Sequence, residues 1–371
     1  MASSKSKLSN TIISARFGRN WRASVSDPIQ SIAATKRALE ENPSARWIIG
    51  FSGGKDSTAV LKIFTSAFRK ATPRPAVVDI VYCDTGVENV ILDRYVKGLL
   101  RKLRKEFEAE GLPFRINVLS APTGDRYFVK VVGRGYPPPT NSFRWCTKNL
   151  RIKPVAKFIG EAAAEDAIVV LGMRRSESGQ RDRSLEKAGG GMWQTQREGR
   201  HRYRLFLPVI DLDLGNVWDA VFMLERPRSI DHHNLEAIYR GASGECPMIK
   251  APNAPPCASG RFGCWTCTVV RRDRSAEALI EAGEVRLKPY LDFRDWLANV
   301  RNDPAWRWPV RRNGVDRPGP FTIKARGRIL RKLDALENKT GTKILFARER
   351  KEIFRLWDLD VSIERQLGLR R

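Results

Sequence analysis

The sequence predicts an α/β fold, a parallel sheet with helices on both faces, from three observations. Apolar segments of strand length alternate with segments of helical periodicity up to about residue 230. Glycine-rich or charged residues follow several of these apolar segments, as expected where strands end at a binding face. The 371 residues are 42% apolar, which allows a substantial core. Because parallel strands need helical crossovers, this order indicates a Rossmann-like, doubly wound sheet.

The individual elements follow in chain order. The segment 28–41 has helical spacing and ends before Asn42-Pro43, so we expect a short helix that covers the edge of the sheet. Apolar runs predict strands at 47–51, 76–84, 114–119, 167–173 and 205–212. Helical periodicity predicts further helices from residue 58 and at 90–111, 149–164 and 216–225.

Two segments break the alternation. Residues 186–204 contain three consecutive glycines and a basic polar stretch, which predicts a mobile loop near the site. Beyond residue 231 the pattern changes to short helices and a Pro-rich, Cys-rich stretch, which indicates a second lobe held by a metal centre. The predicted divisions are a basic N-terminal segment and helix at 1–45, a nucleotide domain at 46–230, a Cys-rich lobe at 231–300 and a basic helical tail at 301–371.

Charge is the strongest signal in the composition. The chain has 67 Lys or Arg against 41 Asp or Glu, a net charge of +26, and residues 301–371 alone hold 19 basic and 9 acidic residues. This excess predicts a polyanionic partner and a tail that acts as a nucleic-acid arm, against the alternative of a solvated helical face. The chain has no run of 18 apolar residues and no signal peptide, so we expect a cytoplasmic protein without a membrane partner.

Residues 52–57, Ser-Gly-Gly-Lys-Asp-Ser, stand between the first strand and its helix and predict a phosphate-binding turn. Gly53 and Gly54 let the backbone approach a ligand, and the first amides of the helix point at it. Lys55 adds a positive charge, and Asp56 is a candidate ligand for magnesium that bridges phosphate oxygens. The spacing differs from the G-x-x-x-x-G-K-[ST] loop, so this is a different type of nucleotide site.

Two further groups follow later strands. Asp84-Thr85-Gly86, with Glu88 close behind, ends the second strand and would place a carboxylate beside the nucleotide. Gly172, Arg174, Arg175 and then Arg181 follow the strand at 167–173, and their guanidinium groups suit phosphate oxygens. For any single arginine, the alternative is a surface ion pair with Glu177 or Asp182. Three such groups at strand ends favour a nucleotide site.

The cysteines predict a metal centre. Cys257, Cys264 and Cys267 form C-x6-C-x2-C, and Cys146 stands far upstream in Arg-Trp-Cys-Thr-Lys. Four thiolates suit either zinc or an iron-sulfur cluster, and spacing alone does not choose between them. Cys246 is the rival fourth ligand, and inert buried thiols are the alternative for the whole set. Cys83 lies within an apolar strand, so we expect a core residue there.

Together these stretches resemble the phosphoadenosine-phosphosulfate reductase family, and within it the sulfurtransferases of bacterial DNA phosphorothioation. The matching segments, within residues 46–300, are 52–57, 82–89, 144–148 with 153–154, 172–181, 244–247 and 261–267. The resemblance implies an adenine nucleotide alpha-hydrolase-like fold and an ATP pyrophosphatase site at a PP-loop. It also implies a 4Fe-4S cluster on Cys146, Cys257, Cys264 and Cys267, and a DNA backbone phosphate as substrate. Partners would be a cysteine desulfurase as sulfur donor and other phosphorothioation subunits.

In this scheme ATP, with Mg2+, activates a phosphate oxygen, and a sulfur nucleophile then displaces AMP. The expected catalytic residues are Lys55, Asp56, Arg174, Arg175 and Arg181, and the expected nucleotide-binding residues are Ser52, Gly53, Gly54, Lys55, Asp56, Ser57, Asp84 and Gly172. No cysteine follows Cys267, whereas sulfonucleotide reductases carry a catalytic cysteine near the C-terminus, so reduction of a sulfonucleotide is disfavoured. The alternatives are tRNA thiolation, a DNA-binding subunit with a structural cluster, and activation of a free small molecule.

Overall fold

The part of the protein that the structure describes contains one six-stranded sheet. The computed structural model describes residues 27–162, 166–175, 190–198, 201–243 and 262–368. The strands are β1 Arg46–Gly50, β2 Val78–Asp84, β3 Phe114–Ser120, β4 Ala167–Val170, β5 Trp193–Glu198 and β6 His201–Phe206. Their order is β3-β2-β1-β4-β6-β5, and every neighbouring pair is parallel except β5 with β6. The predicted α/β class with a largely parallel sheet is therefore confirmed.

Ten helices of eight residues or more occur in the described residues. They are α1 Pro28–Glu41, α2 Lys55–Phe68, α3 Val90–Ala109, α4 Lys153–Ala162, α5 Leu214–Met223, α6 His232–Ser243, α7 Arg274–Glu281, α8 Lys288–Val300, α9 Ile323–Thr340 and α10 Ala347–Gln366. Local sequence explains several of the helix starts. Asp27 caps α1 ahead of a proline in its first turn, and Asn89 caps α3 by accepting hydrogen bonds from two backbone amides. Among these helices, none is long and apolar enough to cross a membrane.

The predicted strands at 76–84 and 114–119 match β2 and β3 closely, and the strand at 167–173 is present but ends at Val170. The helix predicted at 149–164 begins earlier than expected. Helical turns start at Trp145, pass through a π-helical turn at Lys148–Ile152 and continue into α4. This wider turn lies directly after Cys146, where one extra residue per turn changes the direction in which side chains point.

The prediction of a mobile loop at 186–204 is wrong for the residues that the structure describes there. They form the antiparallel hairpin of β5 and β6, in which Trp193 pairs with Phe206. The strand predicted at 205–212 ends at Phe206, and the apolar residues that follow are buried in a turn. An edge hairpin keeps polar side chains on its open face, so its sequence has the polarity of a loop.

The helix at 28–41 forms as predicted but does not have its main contacts at the edge of the sheet. Instead, α1 packs on α2 and α5. These helices belong to a first core that centres on β1 and α2. In this core the ring of Trp47 lies 5.6 Å from that of Phe64 and 6.0 Å from that of Phe206. Eleven of the 14 residues of α2 are buried, so the helix that follows the glycine turn is fixed in position.

A second core joins three distant parts of the chain. It contains Phe128 and Val129, Trp265 and Phe293, and the tail residues Phe321, Leu333 and Ile353, among others. The tail helices α9 and α10 both pack on the π-helical turn at Val129–Gly133. Residues of the tail are therefore an integral part of a hydrophobic core. The division of the chain into four domains stays a prediction.

Candidate nucleotide site and thiol group

The segment 52–57, called the phosphate loop from here on, forms a sharp turn between β1 and α2. Gly53 has a φ of +74°, and a Cβ there would lie 2.0 Å from a methyl carbon of Val96 on α3. A larger residue would therefore be strained and would collide with α3. Gly54 caps α2 without any side-chain hydrogen bond, so the first turn of the helix presents backbone N–H groups, as anion-binding turns do.

The hydroxyl of Tyr239, on α6, lies at this helix start. It accepts a hydrogen bond of 3.2 Å from the backbone N–H of Lys55, and the Lys55 ammonium is 5.5 Å from the centre of the Tyr239 ring. The ring also packs edge-on against Phe262 at 5.1 Å, two positions before Cys264. No motif surrounds Tyr239, so its position at the phosphate loop could not be predicted from the sequence.

Asp56 connects the phosphate loop with the residues that follow β4. Its carboxylate binds the Lys55 ammonium at 2.8 Å and the Arg174 guanidinium at 2.6 Å, and Arg174 is only 4% exposed. Burial raises the pKa of Asp56, but the charges of Lys55 and Arg174 outweigh burial and lower that pKa below its ordinary value. A magnesium ion at Asp56 would have to share the carboxylate with these two cations or replace one of them.

Gly172 is the second point of close approach. A Cβ at this position would lie 2.9 Å from the carbonyl carbon of Asp56 and 3.0 Å from the backbone nitrogen of Ser57. The backbone after β4 therefore touches the first turn of α2, and only glycine leaves room for it. Within the loop, the Ser57 hydroxyl lies 3.0 Å from the Ser52 hydroxyl and also donates to the Gly54 carbonyl at 3.0 Å.

The other predicted arginines have different positions. The Arg175 guanidinium binds Asp211 at 2.8 Å and also the carbonyl of Gly190, and its side chain is 43% exposed. The structure thus places Arg175 in a surface ion pair, with Asp211 in place of the partners considered from the sequence. Arg181 lies outside the described residues.

The end of β2 carries two carboxylates with different partners. Asp84 accepts the N–H of Gly86 at 2.8 Å and binds the Lys97 ammonium at 3.1 Å. Glu88 binds the Arg151 guanidinium at 2.9 Å, and its other oxygen lies 3.9 Å from the Cys264 sulfur. Since Lys97 follows the Val96 that packs on Gly53, helix α3 contacts both the phosphate loop and the strand end that borders the thiols.

Cys146, Cys264 and Cys267, called the thiol group from here on, are free and partly buried. Burial raises the pKa of Cys264 to about 12, and Glu88 and the other two thiols contribute to this rise. Burial likewise raises the pKa of Tyr127, and each of the three thiols adds to this rise. The Tyr127 hydroxyl donates to the carbonyl of Thr266, which stands between Cys264 and Cys267, at 3.3 Å. Trp145 stacks on Tyr127 at 5.4 Å.

Of the predicted ligands, Cys257 and the rival fourth ligand Cys246 lie outside the described residues. Within the described part of the chain, no group of three or more His, Cys, Asp or Glu side chains is arranged to hold a metal ion. Cys146, Cys264 and Cys267 nevertheless supply three of the thiolate donors that an iron-sulfur cluster or a zinc ion uses, so the chemistry of the donor set fits such a group. Cys83 is only partly buried, and its thiol donates to the Leu150 carbonyl at 3.1 Å.

A cavity of about 670 Å³ opens beside the end of β2. Its walls come from the strand end, the start of α3, the segment around Tyr127, and the loop between α9 and α10. The lining residues are Asp84, Thr85, Gly86, Val87, Glu88, Val90, Asp93, Lys97, Arg126, Tyr127, Phe128, Trp265, Tyr290, Thr342, Lys343, Ile344, Phe346, Ala347, Arg348 and Glu349. The tail thus forms one wall of the cavity, a position that its sequence does not predict.

Comparison with solved structures gives distant similarities. They include FMN adenylyltransferase of Candida glabrata with FAD and pyrophosphate (TM-score 0.35, 14% identity, 64% of this chain and 72% of that one). The U34-tRNA thiolase of Methanococcus maripaludis with its [4Fe-4S] cluster has a TM-score of 0.33 and 15% identity over 74% and 79% of the two chains. NAD+ synthetase of Burkholderia pseudomallei has a TM-score of 0.35 and 14% identity over 85% and 89%. Similarities this weak carry no argument about function.

Sequence comparison is more informative. An uncharacterized protein of Methanocaldococcus jannaschii is 28% identical over 131 residues, which are 35% of this chain and 23% of that protein. The chain thus spans about a quarter of the length of this curated relative. Residues 46–269 match the phosphoadenosine phosphosulfate reductase domain. This match covers more than half of the chain and includes the phosphate loop, the end of β2 and the thiol group, and the protein therefore belongs to the phosphoadenosine phosphosulfate reductase domain family.

Proposed function

We propose that the protein is an ATP-dependent sulfurtransferase of the DndC type, which replaces a non-bridging oxygen of a DNA backbone phosphate with sulfur. One observation carries the proposal: the end of β2 lies between an anion-binding turn and a group of three thiols. Helix α3 contacts the turn through Val96, and Glu88 lies 3.9 Å from the Cys264 sulfur. A cavity large enough for a nucleotide opens beside this strand end.

In the first step, an oxygen of the DNA phosphate attacks the alpha phosphorus of ATP. The new P–O bond joins DNA to AMP, and pyrophosphate leaves with the electrons of the bond that breaks. The N–H groups of the phosphate loop and the Lys55 ammonium stabilise the charge on the departing pyrophosphate. Arg174 holds Asp56 and so orients the first turn of α2. Magnesium, when bound, would supply further charge neutralisation there.

In the second step, hydrosulfide attacks the activated DNA phosphorus. A P–S bond forms, the P–O bond to AMP breaks, and the proton of the sulfur goes to solvent, so no atom changes its oxidation state. Cys146, Cys264 and Cys267, together with Cys257, would hold a 4Fe-4S cluster that keeps the sulfur nucleophile at the site. A cysteine desulfurase would supply the sulfur as a persulfide, and two thiols of a cellular reductant would convert it to hydrosulfide and themselves become a disulfide. Other phosphorothioation subunits as partners belong to the same proposal.

Separate replacement of Lys55 by alanine and Cys264 by serine tests the proposal. We expect each change to lower sulfur incorporation into DNA about a hundredfold or more, as measured by mass spectrometry of hydrolysed nucleotides. Lys55→Ala should also abolish pyrophosphate release. Matched controls are Lys105→Ala, an exposed lysine of α3, and Cys83→Ser, a cysteine outside the thiol group, and both should retain activity.

Several results would contradict this function. Sulfur that appears in tRNA bases and not in DNA would show the protein to be a tRNA thiolase. DNA binding without DNA-dependent pyrophosphate release would show a binding subunit with a structural cluster. Pyrophosphate release that requires a small acceptor and no nucleic acid would show a small-molecule enzyme. Full incorporation of sulfur into DNA by Cys264→Ser would show that sulfur transfer does not require the thiol group.

A further inference from the structure

One face of α9 carries five basic side chains and no acidic one. The face consists of five exposed residues, Lys324, Arg328, Arg331, Lys332 and Lys339, and is called the basic face from here on. At 100° per residue, positions 4, 7, 8 and 15 beyond Lys324 all fall within a sector of about 100°. They therefore form a single strip along the helix.

The acidic residues of α9 are kept away from this strip. Asp334 and Glu337 lie on another side of the helix and bind the guanidinium of Arg350 on α10 at 2.6 and 2.7 Å. Glu337 also accepts the backbone N–H groups of Ile344 and Leu345 near the end of the following loop. None of the five basic side chains forms an ion pair with any residue that the structure describes. Their positive charge is therefore available to an external partner.

Two of these side chains lie on tryptophan rings. The Arg328 guanidinium is 5.5 Å from the ring centre of Trp306, and the Lys332 ammonium is 4.8 Å from that of Trp296. The two rings are themselves 5.7 Å apart. Cation–π contacts orient a charge without neutralising it, unlike an ion pair. The middle of the basic face is therefore ordered and still positively charged.

We infer that the basic face binds the phosphate backbone of duplex DNA and directs it towards the cavity at the end of β2. This inference rests on the proposed function, since it takes DNA as the partner. A helix of 18 residues is about 27 Å long, the length of roughly eight base pairs. The loop that follows α9 places Lys343 in the cavity wall, and the first turn of α10 places Arg348 there, so a backbone bound along α9 would continue into the cavity.

Duplex DNA matches this face better than duplex RNA. The major groove of B-form DNA is wide enough to admit a helix, whereas the major groove of A-form RNA is deep and too narrow for side chains to enter. Each phosphate neutralised by a lysine or arginine releases condensed counterions, so binding through this face must weaken steeply as salt increases.

The test is a triple variant, Lys324→Gln with Arg331→Gln and Lys339→Gln, which leaves the two stacked cations in place. Binding of a fluorescent 20-base-pair DNA is measured by anisotropy from 50 to 300 mM salt. The slope of log affinity against log salt should become shallower by about 2 to 3, close to 0.9 for each lost phosphate contact. The matched control removes the same charge from α3: Arg101→Gln with Lys102→Gln and Lys105→Gln, all exposed. Its slope should stay within about 0.5 of the original.

An unchanged slope in the α9 variant, or an equal change in both triple variants, would overturn the inference. A slope change seen with duplex RNA and absent with duplex DNA would overturn it as well. The single variant Arg331→Gln, expected to change the slope by about 0.9, gives the same decision if the triple variant does not fold. Failure of the proposed function is recognised separately. DNA that binds through the basic face but gains no sulfur would refute the chemistry alone, and sulfur transfer with an unchanged slope would refute the face alone.

Discussion

Replacing Asp360 with asparagine should strongly destabilise the second core. Asp360 on α10 and Arg326 on α9 are both fully buried and lie 2.7 Å apart, and Arg312 binds the same carboxylate through two hydrogen bonds of 2.7 and 2.8 Å. The substitution keeps the shape of the side chain but removes its charge. Arg326 is then left as a buried cation beside a second cation.

The structure sets the expected magnitude. Removing one partner from a buried ion pair costs about 3–5 kcal/mol, because the remaining charge has lost its compensation. Arg326 keeps its hydrogen bonds to the carbonyls of Gly133 and Phe321, and asparagine still offers one acceptor, so we expect a value near the lower limit. For a chain of 371 residues, a loss of about 3 kcal/mol corresponds to a decrease in Tm of about 4 °C.

The effect should depend on pH in a defined direction. Burial raises the pKa of Asp360, but the hydrogen bond from Arg312 and the charge of Arg326 outweigh burial and lower that pKa below its ordinary value. A carboxyl group with a lowered pKa in the folded state stabilises the protein above its unfolded pKa of about 3.9 and loses this contribution as the pH falls further. The gap in Tm between the original protein and Asp360→Asn should therefore be full at pH 7 and narrow below pH 4.

The assay is thermal unfolding followed by circular dichroism at pH 7, and between pH 5 and 3. Asp358→Asn is the matched control, since Asp358 is exposed on the same helix. The double variant Arg326→Met with Asp360→Leu should be less destabilised than Asp360→Asn, because it leaves no buried charge. If Asp360→Asn and Asp358→Asn unfold within 1 °C of each other at pH 7, the reasoning about buried charge is wrong.

Two further predictions concern the first core and the phosphate loop. Tyr239→Phe removes the hydroxyl that accepts from the Lys55 N–H, which makes this N–H available to a phosphate oxygen of ATP. Because the competing hydrogen bond is worth about 1 kcal/mol, calorimetry should show about fivefold tighter binding of ATP. Unchanged or weaker binding of ATP would show that the hydroxyl has another role. Burial lowers the pKa of Lys62 to about 8, although the negative charge of Glu106 acts to raise it. The unfolded chain therefore binds more protons between pH 8 and about 10.4, so Lys62 should stabilise the protein increasingly as pH rises through this window. We expect the Tm of the original protein to rise relative to the Tm of Lys62→Met as the pH increases from 7 to about 10.5. A difference in Tm that stays constant over this range would contradict the burial argument.

Much of the sheet followed from sequence because buried parallel strands are continuous apolar runs. β2 and β3 agree with the prediction for this reason, whereas the hairpin of β5 and β6 was missed because its polar residues resemble those of a loop. The phosphate loop was predicted because its residues are adjacent in the chain. Tyr239 was missed because it stands 184 positions from Lys55, and no local pattern encodes a contact over that distance.

The basic composition of the tail predicts a nucleic-acid arm, with a solvated helical face as the alternative. The structure explains why charge alone could not decide between these two. A helix on a protein surface has two faces, and α9 uses one for the second core and the other for the basic face. Of the tail's 19 basic residues, Arg312, Arg326 and Arg350 are held by carboxylates inside the fold. These arginines contribute to stability and not to association. Net charge therefore overstates the capacity of the tail for binding polyanions. An arginine that contributes to stability is distinguished from one that can bind a polyanion by whether a carboxylate lies within ion-pair distance of it.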